Sequence, residues 1–235
     1  MTVKEILKLL DPKNQNLPKL SVDSGFAKYP LVYIPDFSEK KDEIKEAVKN
    51  SQIIRHVGMG KRKEISARMM RRFFGKAYLE ALKSRPSRIA MVCPYEYLSV
   101  AATGVHVAAL DPGMFKKKWD KTQAPEVVFV VPELKKTDAA MALREGEVIA
   151  EGKNLMRILG SLPPNILNQQ TYAELCMGLG RQWDVAVKRA PQKELKKYEL
   201  LQAVSLGSGQ PSELILFRLD SSSKSKHSTA VIGKG

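Results

Sequence analysis

Four short runs of apolar, mostly β-branched residues, at 31–34, 53–57, 89–93 and 127–131, place the tightest limit on how this chain can fold. Each is bounded by Pro, Gly or charged residues, the pattern of strands buried inside a sheet. Between them apolar residues recur at helical spacing, with Ile44, Ala47 and Val48 in 41–49 and Ile65, Met69, Phe73 and Ala77 in 63–83. Strands alternating with helices predict an α/β domain, and the pattern admits a mixed sheet as readily as a parallel one. Thr2 and Glu5 form a capping box and Pro12 ends the helix it starts, so a short helix opens the chain.

From 137 to 159 runs a long helical pattern, capped by Thr137 or Asp138 and closed by Gly160 and the Pro163–Pro164 pair. It reads as a connector, with Leu143, Ile149, Leu155 and Leu159 mostly buried. Gly146 and Gly152 each cost a helix about 1 kcal/mol relative to Ala, which points to close packing against another element. The alternation then resumes: helix from Thr171, strand at 185–187, helix from Gln192, strands at 214–219 and 229–232, with a Ser-rich loop at 221–225. These later strands are expected in a sheet of their own. The predicted organisation is a mixed-sheet α/β N-terminal domain over 1–136, a linking helix over 137–160, and the beginning of a second α/β domain over 161–235.

With 43% hydrophobic residues in 235, a core can form and wholesale disorder is excluded. Cys93 and Cys176 are too few for a disulfide framework or a four-cysteine metal site, which suits a reducing compartment. The opening residues lack the apolar core of a secretory signal, and no run approaches the ~18 apolar residues a membrane span needs. A soluble cytoplasmic protein with no membrane partner is expected.

The formal charge of +14 is unevenly placed. Arg55, Lys61, Arg62, Lys63, Arg68, Arg71, Arg72 and Lys76 head a segment over 55–88 that contains only Glu64 and Glu80 as acids. A cationic helix face of this kind can lie along the phosphates of DNA or RNA, with Phe73, Phe74 and Tyr78 stacking if exposed; the alternative is a solvated amphipathic helix whose aromatics sit in the core. Lys116–Lys118 beside Trp119 repeats the pattern on a smaller scale. His56, His106 and His227 share no metal-binding spacing, and each reads as a packed or hydrogen-bonded histidine. Neither cysteine has a neighbouring base, and the glycines at 207–209 and 233–235 lack the spacing of a phosphate loop. Nucleotide hydrolysis is therefore not expected.

The run Glu151-Gly-Lys-Asn-Leu-Met-Arg-Ile-Leu-Gly-Ser-Leu-Pro-Pro-Asn165, then Thr171-Tyr-Ala-Glu174, then Val231-Ile-Gly-Lys-Gly235, resembles the leucine aminopeptidase (cytosol aminopeptidase) family. A looser likeness covers 96–118. The resemblance implies a metallo-exopeptidase that releases N-terminal amino acids from peptides, works with two divalent ions (zinc or manganese) and assembles as a homo-hexamer. Lys234 matches a metal ligand of the family; it would bind as the neutral amine, which burial and the charge of the ion both favour. The family's acidic ligands, second lysine and arginine lie past the point matching Gly235. The expectation is that these 235 residues alone bind no such ion and are inactive, as a piece of a longer enzyme or a shortened relative. The competing expectation is a non-catalytic or dual-role nucleic-acid-binding protein that uses 55–88.

Overall fold

A computed structural model of the chain describes residues 1–38, 40–110, 123–132, 136–195, 198–200, 203, 207, 213–220 and 229–233. In chain order its elements are α1 (Val3–Leu10), β1 (Leu20–Asp23), β2 (Leu31–Asp36), β3 (Ile44–Lys49), β4 (Gln52–Gly58), α2 (Ala67–Leu82), β5 (Arg88–Val92), α3 (Leu98–Ala109), β6 (Glu126–Val130), α4 (Lys136–Ser161), α5 (Gln169–Trp183), β7 (Ala186–Pro191), α6 (Gln192–Leu195) and β8 (Glu213–Arg218). They fall into two compact units, Leu10–Ser161 and Met1–Leu9 with Leu162–Gly235.

The Leu10–Ser161 unit is built on a six-stranded sheet in the order β1-β6-β5-β2-β4-β3. Every neighbouring pair is parallel except β3–β4. The α/β class with a mixed sheet is thus as the sequence implied. Odd-numbered side chains, among them Leu31, Tyr33, Ile89, Met91, Val127 and Phe129, pack with Phe73, Phe74 and Tyr78 of α2 and Leu98 and Val105 of α3. Even-numbered ones, Val32, Ala90, Val128 and Val130, join Tyr29 on the other side. Because both faces of the central strands are covered, their sequences are apolar without alternation.

Two strands of this sheet differ from the sequence reading. Residues 41–49 do not form a helix: Ile44–Lys49 is β3, antiparallel to β4 and exposed at all six positions. Ile44 and Val48, four apart, fit one stripe of a helix and one face of a strand equally well, and the Asn50–Ser51 turn decides between them. Both turn residues have positive φ, 50° and 63°, the geometry of a two-residue hairpin whose twist matches the strands. β1, in turn, is a short edge strand of half-buried residues that periodicity did not reveal.

The three helices over the sheet approach closely because small residues line their contacts. A Cβ at Gly104 of α3 would lie 2.3 Å from the Arg71 carbonyl oxygen, and one at Gly146 of α4 would lie 2.3 Å from that of Ser99. The Thr103 hydroxyl donates to the carbonyls of Ser99 and Gly146, 3.0 Å from each. Gly146 therefore packs as expected, whereas Gly152 has open space beside it. α4 extends one residue before Thr137, so Thr137 and Asp138 lie within its first turn and do not precede it. Leu143 and Leu159 are buried as expected, Leu155 only partly, and Ile149 is exposed. The inward face runs instead through Ala139, Leu143, Gly146, Ala150, Asn154 and Ile158.

In the other unit, α1 begins with the Thr2–Glu5 capping box: the Thr2 backbone nitrogen donates to Glu5 Oε2 at 2.6 Å and the Glu5 N–H to Thr2 Oγ1 at 3.3 Å. Its Leu7 lies where a Cβ on Gly178 of α5 would sit. After Leu162, the Pro163 carbonyl accepts from the N–H groups of Ile166 and Leu167, both at 2.9 Å. α5 then starts with a reciprocal cap in which Asn168 and Thr171 each bond the other's backbone N–H at 3.0 Å. β7 and β8 pair antiparallel in a separate two-stranded sheet. The strand expected at 229–232 is not formed: residues 229–233 are exposed and outside any ladder.

Candidate functional site

α2 separates its residues sharply. Ser66 caps it, accepting from Met69 N–H at 3.3 Å, and Met70, Phe73, Phe74, Ala77, Tyr78 and Ala81 are buried. The Tyr78 hydroxyl, taken from water, has its pKa pushed up to about 12, the mark of a core tyrosine. The aromatics are thus core residues and do not stack on bases. Arg68, Arg72 and Lys76, four apart, form an exposed basic stripe on the other face, and Lys61, Arg62 and Lys63 lie exposed just before the helix. Arg71 is only half exposed, and its backbone lies against Gly104 of α3.

Arg55 stands apart from that stripe. On β4 its Nε donates to Glu46 Oε2 at 2.7 Å and its Nη1 to the Tyr33 hydroxyl at 2.8 Å. The bond to Glu46 raises its pKa further despite partial burial. It is a strand-pairing residue. Lys76 lies 4.0 Å from Asp42. Among the described residues, Lys61, Lys63, Arg68 and Arg72 have no acidic partner.

Arg62 belongs to a convergence that spacing along the chain concealed. Its Nη2 bonds Glu96 Oε1 at 2.7 Å and its guanidinium sits 5.6 Å from the centre of the Phe37 ring. The segments following β2, β4 and β5 are tied together at the carboxyl edge of the sheet, where open α/β sheets hold ligands. Burial works to raise the Glu96 pKa, yet its own backbone N–H and Arg62 hold it below the usual carboxylate value. The pair is mutually neutralised. Residues 34 apart give no signal before the topology is known.

The buried nucleophiles and histidine are structural. Burial pushes the thiols of Cys93 and Cys176 up, away from the reactive thiolate. His106 places Nε2 3.0 Å from the Pro18 carbonyl. Since a carbonyl only accepts, Nε2 carries the proton and Nδ1 is a bare acceptor, without a partner among the described residues. Beside it, Asn154 Nδ2 donates to the His106 carbonyl at 3.2 Å, and Arg157 donates to the carbonyls of Val107 and Leu110. Two residues of the motif at 151–165 thus satisfy the open end of α3. Among the described residues no three His, Cys, Asp or Glu side chains gather as a metal site requires; these residues by themselves do not fit a divalent ion. Lys234 lies outside the described residues, as do Lys116–Lys118, Trp119, His227 and the loop at 221–225.

A six-stranded mixed sheet under three helices, a long last helix, and a Pro-Pro turn into a second α/β unit define the class of protein. No established family profile matches the chain. It is 31% identical over 189 residues to the probable cytosol aminopeptidase of Agrobacterium fabrum (strain C58 / ATCC 33970), covering 76% of this chain and 38% of the relative. To the probable cytosol aminopeptidase of Pseudomonas aeruginosa (strain UCBPP-PA14) it is 28% identical over 194 residues, 76% and 39% of the two chains. Among solved structures, a tomato leucine aminopeptidase mutant superposes with a TM-score of 0.72 at 14% identity, over 87% of this chain and 51% of that one. The bottromycin maturation enzyme BotP gives 0.66 at 16%, over 81% and 46%. The fold is that of leucine aminopeptidases, and the resemblance read from the motif at 151–165 is borne out. The chain spans about two fifths of the length of these curated relatives. Among the described residues no helix is long and apolar enough to cross a membrane.

Proposed function

We propose that the chain forms the N-terminal portion of a cytoplasmic, metal-dependent aminopeptidase that releases N-terminal amino acids from peptides, with 1–136, 137–160 and 161–235 as its N-terminal domain, linking helix and start of the catalytic domain. The observation that carries this is its similarity, over 76% of its length, to proteins named cytosol aminopeptidases. In this reading the enzyme uses two zinc or manganese ions and is a homo-hexamer; a complex of BotP with Mn is among the structures of similar fold. Lys234 contributes one ligand as a neutral amine, and the acidic ligands come from sequence the relatives carry beyond this span. The test compares two proteins. The 235-residue chain is expected to show no turnover of aminoacyl substrates with added zinc, manganese or cobalt. A protein extended by the remaining portion is expected to show metal-dependent turnover, lowered by orders of magnitude in Lys234→Ala. Metal-dependent turnover by the 235-residue chain after a mock-purification control would overturn the assignment of ligands.

A second reading, compatible with the first, is that the basic stripe binds nucleic acid. It is supported by the exposure of Arg68, Arg72 and Lys76 beside Lys61 and Lys63, Arg62 being paired with Glu96. Binding should weaken steeply with salt, and Arg72→Ala should lower the log–log slope by about 1. Salt-independent binding would refute it.

A further inference from the structure

We propose that β3 is a self-pairing edge, through which two copies of this chain join antiparallel about a two-fold axis passing between their Glu46 residues and extend one sheet into the other. This stands apart from the aminopeptidase reading, since it uses neither Lys234 nor a metal.

β3 ends the sheet and, among the described residues, has a partner strand on one side only. The directions of its backbone groups follow from the hairpin. Lys49 and Gln52 flank the two-residue turn, and the Gly58 N–H donates to the Glu43 carbonyl at 2.7 Å. Bonded pairs alternate along an antiparallel ladder. Residues 43, 45, 47 and 49 therefore bond toward β4, while Ile44, Glu46 and Val48 direct N–H and C=O to the open edge. On the helix-covered side of the sheet, Ile44 and Val48 add an apolar fringe, 60% and 72% exposed.

Edge strands are usually protected by charge, lysine above all. Here the charges select one register and do not block pairing. A two-fold axis perpendicular to the sheet keeps each face on its own side, so even-numbered residues meet even-numbered ones. Centring the axis on residue 45 or 47 sets Glu43 against Ala47 or Ser51, so its carboxylate meets no cation. Centring it on Glu46 sets Ile44 against Val48 twice, Glu43 against Lys49 twice and Lys45 against Ala47. All three outward residues of each copy then form bonded pairs. The two Glu46 carboxylates face each other across the axis, but each is held by its own Arg55 at 2.7 Å, giving alternating charge. A single short strand buries less than the ~1,200 Å² of a stable interface, so the dimer is weak and concentration-dependent. The two-fold closes on itself, so this contact by itself joins two copies and no more.

Sedimentation velocity of the 235-residue chain over a concentration series tests this. The expected result is a monomer–dimer equilibrium. Glu43→Lys and Lys49→Glu, each turning two attractive contacts into repulsive ones, should weaken it roughly tenfold, and the double reversal should restore it, because the two positions meet only across the axis. Unchanged circular dichroism would show that the variants fold. Monomer at every concentration, association indifferent to the single reversals, failure of the double reversal to restore it, or growth beyond the dimer would each overturn the proposal.

Discussion

A methyl group added at Gly104 would lie 2.3 Å from the Arg71 carbonyl oxygen, against backbone that cannot step aside, whereas one at Gly152 would meet nothing within 4 Å. The same substitution should therefore act in opposite senses. Gly104→Ala is expected to destabilise by about 1–3 kcal/mol through overpacking, and Gly152→Ala to stabilise by about 0.5–1 kcal/mol through helix propensity; urea unfolding of both measures the contrast. His106 gives a pH dependence. Burial lowers its pKa from the ordinary 6.5 against the opposing influence of the Pro18 carbonyl, Glu147 and Glu151. Below about pH 6.5 the unfolded chain then takes up a proton that the folded protein refuses, and stability falls until the folded-state pKa is reached. His106→Gln should flatten that part of the stability curve, leaving the acid loss from carboxylates such as Asp23, held low by Lys28 and Tyr29, at lower pH. Part of this was readable beforehand: a packed, hydrogen-bonded histidine was expected at 106. Arg55 was misread as a surface cation because its neutralising partner, Glu46, reaches it only through the β3–β4 register.

Elements were legible where apolar residues were large and long runs settled the period. The four central strands, α2 and the long α4 all stand close to where the pattern put them. β3 failed on a specific ambiguity, since an apolar spacing of four serves both a helix and a strand. α4 failed differently: counting only large residues rotated its inward face onto Ile149, while the true contact runs through Ala139, Gly146 and Ala150, where small size permits close approach. The Asn50–Ser51 turn was the missed signal, and it can be tested. Ser51 has φ 63°, a conformation that costs an L-residue roughly 1–2 kcal/mol. Ser51→Gly is expected to raise stability by about 1 kcal/mol in urea titration without altering the sheet. At α5, Asn168→Ala should cost about 1 kcal/mol by removing the cap on Thr171 N–H.

For the whole molecule, the Leu10–Ser161 unit contains a cluster of buried apolar side chains, from Leu31 to Leu143, that lies wholly within it. A protein limited to that span is expected to fold alone, with a single cooperative urea transition coincident by circular dichroism and amide exchange. Non-coincident transitions would show that it leans on the rest of the chain. Its sheet is not assembled in the order in which it is written. Among the described residues β1 pairs with β6 alone, with Leu20 opposite Val127, so β1 has no sheet neighbour until more than a hundred further residues have been translated. Until then the nascent chain carries β1 as a loose leader while β2, β3 and β4 can already zip together. Chaperone occupancy early in synthesis should accordingly centre on residues 20–23 and be released once 126–130 emerge.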